Sequence, residues 1–300
     1  MQALRYRLEV LCFRALIGLT HILPRRLMLA FGSFLGLLAD LLLARHTRIA
    51  LDNLALALGD ELEPARRRQI VRRCWQHFAR TIIDMFYIPR MDLQAIRRMI
   101  DLEGEENLRE AVAEGEGVMV YSAHFGHWEL AAVVAGFEGV PLAIIARPLS
   151  NPGLEPVLRS LREVSGNRII YKRNAIRAII QALKEKMAVA IMIDQDARDR
   201  GIFVPFFGRP ASTTATPASI ALRTGAPIIP VSCVPTGKGK YRIRVLPRID
   251  TRSSGDPEAD ILRITTECTT ILEGWVRERP ELWLWMHRRW KTQPADAETT

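Results

Sequence analysis

The longest apolar stretch covers residues 27–44, eighteen positions interrupted only by Asp40. As a helix it would span about 27 Å, slightly short of the ~30 Å hydrocarbon core of a bilayer. Residues 8–23 are nearly as apolar but carry Glu9 and Arg14. Arg25 and Arg26 precede the longer run, and Arg45 and Arg48 follow it. Pro24-Arg25-Arg26 stands where a cleaved signal peptide would need small residues, so residues 1–44 are expected to stay attached as a membrane-associated helical region. The rival reading is a helical hairpin buried in a soluble core.

Farther along, the period changes. Over residues 64–88, Ile70, Cys74, Trp75, Phe78, Ile82 and Met85 make one helical stripe, with arginines largely off it and His77 beside it as a packing or surface residue. Short apolar runs then alternate with segments of helical spacing. Strands are expected at 117–122, 141–146, 168–171, 188–193 and 227–234. Helices are expected at 128–135, 154–161, 176–183, 216–224 and 257–279. Residues 240–246 alternate polar and apolar, the pattern of an antiparallel edge strand. The whole predicts an α/β fold: a mixed, largely parallel sheet flanked by helices, with the membrane-associated region at residues 1–44 and a catalytic domain at 45–300. Ligands of such sheets bind at the carboxyl ends of the strands.

Composition sharpens this picture in two ways. The chain is 48% hydrophobic, consistent with apolar surface that meets lipid or an acyl chain. Its 42 Lys and Arg against 33 Asp and Glu give +9, a charge that attracts anionic headgroups, phosphorylated substrates or an acidic partner. Nucleic acid is not expected, because the paired arginines lie on helical faces without an aromatic stacking platform. Cys12, Cys74, Cys233 and Cys268 are widely spaced and read as free thiols, not as disulfides or a zinc site.

The chemistry concentrates in Ser122-Ala-His124-Phe-Gly126-His127-Trp-Glu129, at the end of an expected strand and the start of an expected helix. A neutral imidazole there can take the proton of a poorly nucleophilic hydroxyl, and a carboxylate on its second nitrogen would fix the tautomer. Glu129 is the expected partner of His124, with helix-start amides available to an oxyanion. The same residues are compatible with a structural histidine, with metal ligation by His124, His127 and Glu129, or with Ser122 as a nucleophile. The spacing lacks the i, i+4 histidines of a zinc helix, and G-x-S-x-G is absent.

The chain resembles the lipid A biosynthesis acyltransferases, the late lauroyl and myristoyl transferases of the lysophospholipid acyltransferase superfamily. The resembling segments, in order, begin with residues 48–54, Ser122–Glu129, Ala146-Arg147-Pro148 and Asn151-Pro152. They continue with Ile193-Asp194-Gln195-Asp196, Val204–Gly208 and Trp285–Lys291. The resemblance implies catalysis by His124 and Glu129, an acyl-carrier-protein thioester as donor, and a phosphorylated glycolipid acceptor. It places the catalytic domain on the cytoplasmic side of the inner membrane and implies neither cofactor nor metal. Arg147 falls on a basic position that faces the reacting groups, and Asn151 and Asp194 fall in motifs expected to bind substrate. Phe203, Val204, Phe206 and Phe207 would line an acyl pocket or form ordinary core. Trp283, Trp285 and Trp290, with Arg288, Arg289 and Lys291, would form an interfacial belt or a terminal strand. Rival functions are acylation of another amphiphile, thioester hydrolysis, or membrane binding without catalysis.

Overall fold

The computed structural model describes residues 2–171 and 175–294. Helices α1 (Gln2–Ile22), α2 (Arg25–Leu42), α3 (Ala44–Leu58) and α4 (Pro64–Met85) precede the sheet. There follow α5 (Leu93–Met99), β1 (Ile100–Glu103), α6 (Glu105–Ala113), β2 (Val118–Ser122), α7 (Trp128–Phe137) and β3 (Leu142–Ala146). Next come α8 (Glu155–Glu163), β4 (Arg168–Tyr171), α9 (Ala175–Lys184) and β5 (Ala188–Met192). A hairpin, β6 (Ile202–Phe206) and β7 (Arg209–Thr213), leads to α10 (Thr216–Thr224), β8 (Ile228–Gly237), β9 (Lys240–Val245) and α11 (Pro257–Glu278).

Seven strands form one sheet in the order β1-β9-β8-β2-β5-β3-β4. Every pairing is parallel except β8 with β9. Residues alternate between its faces. Val118 and Val120 join a core with Ala111 of α6, Leu130 and Val133 of α7 and Leu161 of α8. Met119 and Tyr121 join another with Ile179 of α9, Ala218 of α10 and Ile264 of α11.

The expectation for β9 needs one correction. It is antiparallel to β8, with Cys233 opposite Ile243, but it is not an edge. The four-residue β1 covers its outer side, Leu102 opposite Ile243. So short a strand gives no period to read. The β6–β7 hairpin was also not expected. Pro205 and Pro210 sit opposite each other in it, and prolines argue against a strand unless it is an edge. Its turn has both central residues at positive φ, Phe207 at 53° and Gly208 at 70°, the combination that suits a tight hairpin. Val204, Phe206 and Phe207 are core, Phe206 stacking on Trp290 at 5.6 Å.

The C-terminal tryptophans form neither a belt nor a strand. Trp283, Trp285 and Trp290 are buried in irregular chain, and Arg289 is buried with them, donating to the Ser212 carbonyl at 2.6 Å and to the Thr213 hydroxyl. Cys74, Cys233 and Cys268 are buried thiols, whereas Cys12 is exposed.

The helix α2 lies against α4 at backbone distance. A Cβ added at Gly36 would stand 2.5 Å from the Gln76 Cα, and one at Gly32 would stand 3.2 Å from the Arg80 Cα. Met28 is fully buried in this contact region. The opposite face is bare: Leu27, Phe31, Phe34 and Leu41 on α2, and Leu4, Leu8, Leu11 and Ile22 on α1, are exposed. Among the described residues no single helix is long and apolar enough to cross a membrane. The pair α2 and α3 is so only together, and it bends by 90°.

Candidate active site

The loop that follows β2 is clamped from several sides. Gly126 has φ +61°, and a Cβ there would come within 1.8 Å of the Cys233 carbonyl oxygen, so no larger residue fits. The Gly126 amide donates to the Leu282 carbonyl at 2.9 Å, and the His127 amide donates to the Cys233 carbonyl at 2.7 Å. From α4, His77 Nε2 sits 3.0 Å from the Gly126 carbonyl. Burial lowers its pKa to about 4, so the ring is neutral and donates.

This loop presents His124. Its Nδ1 lies 2.9 Å from Asp194 Oδ1, and its backbone amide donates to Asp194 Oδ2 at 3.0 Å. Trp283 Nε1 donates to the same Oδ2, also at 3.0 Å. Asp194 therefore accepts three hydrogen bonds, is 2% exposed and is fixed in orientation. Nδ1 carries the proton in that contact, which leaves Nε2 to the cavity. Burial disfavours the imidazolium, but the charge and hydrogen bond of Asp194 outweigh it, with Glu129 adding, and the His124 pKa is raised. The Asp194 pKa is lowered: burial opposes this, and His124 and Trp283 more than offset it.

Glu129 does not take the role expected of it. In the first turn of α7 it bonds Arg162 of α8 through Nε at 2.9 Å and Nη2 at 2.5 Å, and Trp128 Nε1 at 3.2 Å. The carboxylate on His124 Nδ1 is Asp194, seventy positions away in the chain. No local spacing announces such a partner. Asp194, expected as a substrate contact, is instead bonded to His124 and Trp283. Asn151 is likewise engaged elsewhere: its amide donates to the Tyr6 carbonyl at 3.0 Å and to Glu9 Oε2 at 2.9 Å, tying α1 to the loop after β3. Arg147 is exposed and lines the cavity with His124 and Glu129. Ser122 Oγ donates to the Val231 carbonyl at 2.8 Å and is not hydrogen-bonded to His124. Among the described residues, no three His, Cys, Asp or Glu side chains converge as a metal-donor set.

The cavity over His124 measures about 1210 Å³. On the α7 face of the sheet its walls carry Leu108, Val120, Ala132, Leu142, Ile144 and Leu158, with the ion-paired Arg109, Glu105, Arg162 and Glu129 among them. On the other face they come from α9, α10 and the residues after β5, including Gln195, Thr214 and Thr216. Apolar and polar groups line both sides, so a long hydrocarbon and a polar group can share the chamber.

The sequence pattern of the family described as bacterial lipid A biosynthesis acyltransferase matches residues 1–292. The lipid A biosynthesis palmitoleoyltransferase of Escherichia coli (strain K12) is 28% identical over 276 residues, which is 91% of this chain and 88% of the relative. The lipid A biosynthesis lauroyltransferase of the same organism is 28% identical over 279 residues, with the same shares of 91% and 88%. A phosphatidylinositol mannoside acyltransferase of Mycolicibacterium smegmatis (strain ATCC 700084 / mc(2)155) is 27% identical over 231 residues, 76% of this chain and 74% of the relative. With the match running from the first residue past the buried tryptophans, this chain belongs to the bacterial lipid A biosynthesis acyltransferase family and is an acyltransferase with a lipid acceptor.

Proposed function

We propose that the protein transfers a fatty-acyl chain from an acyl-carrier-protein thioester to a hydroxyl of a lipid A precursor, with His124 as general base. His124 Nε2 takes the acceptor's O–H proton while that oxygen attacks the thioester carbonyl. The C–S bond then breaks, and the leaving thiolate recovers the proton from the imidazolium. Asp194, at 2.9 Å from Nδ1, holds the tautomer and stabilises the imidazolium. Glu129, fixed by Arg162, adds negative potential beside it. The amides of Trp128 and Glu129, at the start of α7, are the oxyanion donors, since those of His124, Gly126, His127 and Leu130 are bonded within the protein.

The observation that carries this reading is the placement of an oriented imidazole at the mouth of an apolar chamber. The bare apolar faces of α1 and α2, bordered by Arg5, Arg7, Arg14 and Arg26, support seating on an anionic leaflet, with the catalytic unit at the cytoplasmic face of the inner membrane. The similarity to a phosphatidylinositol mannoside acyltransferase supports a second reading, in which the acceptor is another phosphorylated glycolipid.

Product analysis with a labelled acyl-carrier thioester, presented with each acceptor in bilayers, separates these. Acylated lipid A precursor is the expected product. Acylation of the mannoside lipid alone moves the assignment to the second acceptor, and free fatty acid alone makes the protein a thioesterase.

A further inference from the structure

The arginines that line the cavity fall into two kinds. Near the α7 face two are neutralised, Arg162 by Glu129 and Arg109 by Glu105 at 3.2 Å with Glu138 at 3.9 Å, while Arg147 at the end of β3 is exposed and forms no salt bridge among the described residues. On the opposite side, Arg177 of α9, Arg200 after β5 and Arg223 of α10 line the same cavity, are exposed, and form no salt bridge among the described residues. The polar groups beside them, Gln195 and the hydroxyls of Thr214 and Thr216, are hydrogen-bonding neighbours of the kind a phosphate uses. Asp196 also lines this side, with one carboxylate oxygen held by Thr292 at 3.0 Å, so three cations face one anion.

The position of α1 breaks the remaining symmetry. Asn151 anchors α1 to the loop that begins with Arg147, so the bare apolar face lies on the Arg147 side. The helices α9 and α10 instead pack on the sheet, on each other and, for α10, on α11. The three arginines thus belong to the side of helices held to the sheet, whereas α1, with its exposed apolar face, is held to the loop after β3.

We propose that the substrates enter from different sides: Arg177, Arg200 and Arg223 dock the acidic carrier protein and the phosphodiester of its acyl arm, while the lipid acceptor enters past Arg147. This rests on the acyl-transfer reading above. Among the described residues this exposed charge forms no salt bridge, so docking an acidic carrier breaks none of the ion pairs seen there.

The test is the triple variant Arg177→Gln/Arg200→Gln/Arg223→Gln, exposed positions whose replacement leaves the core untouched. Fluorescence anisotropy of a labelled carrier protein bearing a non-hydrolysable thioether analogue reads docking without turnover. Binding by the wild type that falls with salt and weakens at least ~10-fold in the triple variant is expected for a steered, charge-dependent dock. In steady-state assays the KM for the carrier thioester should rise by a similar factor, while the KM for the acceptor stays constant. Arg147→Gln should show the reverse split. Equal carrier binding by wild type and variant, or a rise in acceptor KM in the triple variant, would overturn the proposal. Absence of acylated lipid with the wild type would instead reject the acyl-transfer reading, and anisotropy would still decide the docking side.

Discussion

Two histidines three residues apart each face a buried aspartate, and they do opposite things. His124 meets Asp194 at 2.9 Å, is 22% exposed in its side chain, and keeps one nitrogen toward the cavity. His127 is fully buried; its Nδ1 accepts the Leu130 amide at 3.2 Å, capping α7, and its Nε2 stands 3.6 Å from Asp84 Oδ2. Asp84 in turn binds Arg25 through both oxygens at 2.6 Å and the Tyr241 hydroxyl at 2.7 Å. The first pair ends at the cavity; the second ends inside the protein, joining α2, α4, α7 and β9. The pairs differ in whether the second nitrogen is left open: on the proposed mechanism the open one does chemistry and the closed one is architecture.

This contrast sets an order of consequences. His124→Ala should show the largest effect, a kcat loss on the order of 10²–10⁴-fold with an unchanged melting curve, the scale of removing a general base. Unchanged turnover in the folded variant would break the contrast at once.

Asp194→Asn should cost on the order of 10²-fold or more, because the imidazole loses its tautomer and its counter-charge. It should also move the acid limb of the pH–rate profile. The base works when neutral, so wild-type activity rises with pH through a His124 pKa raised above the ordinary 6.5. Without the Asp194 charge and hydrogen bond, burial acts on the imidazolium against only the smaller pull of Glu129, and the limb should shift to lower pH. A limb that stays in place would show that another group sets it.

Asp84→Asn should act on stability. Breaking a buried ion pair costs about 3–5 kcal/mol, read as a lower denaturant midpoint. The Asp84 pKa is lowered: burial opposes this, and His127 and Arg25 outweigh it. Its contribution is therefore present above the ordinary Asp range and lost as pH falls through the depressed folded value. The variant should erase that acid-side loss of stability and leave the acid limb of activity unmoved.

The smallest effect belongs to His127→Asn. Asparagine also caps helices, so about 1 kcal/mol is expected, less than for His127→Ala, which removes the cap. A shift of the pH profile in either variant would put His127 in the chemistry.

The sequence revealed what is local and concealed what is not. The strands β2, β3, β5 and β8 are continuous apolar runs because helices cover both faces of the sheet, and such runs stand out. The loop from Ser122 to Glu129 announced itself by residue type. Its working partners did not: Asp194 is separated by seventy positions, and Arg162 reaches Glu129 across thirty-three. These contacts are made by crossovers of the sheet, and no spacing rule encodes them. The tryptophans near the C-terminus misled because a row of aromatic and basic residues looks interfacial. They are instead the lid of the core, with Trp283 reaching Asp194. A boundary near residue 44 followed hydropathy, whereas packing runs through it: α2 is bound to α4 and α3 continues into the core, where Ala50 and Leu54 are fully buried.

That packing has a mechanical meaning. Gly32 and Gly36 let the α2 and α4 backbones touch, with no layer of side chains between them to act as a cushion. The bare-faced helix α2 is in close contact with α4 there, and α4 reaches the loop that bears His124 through His77. The anchor is then a keel and not a tether. On the proposed membrane seating, an angle imposed on α2 would pass to the chamber through the place where two glycines meet a helix.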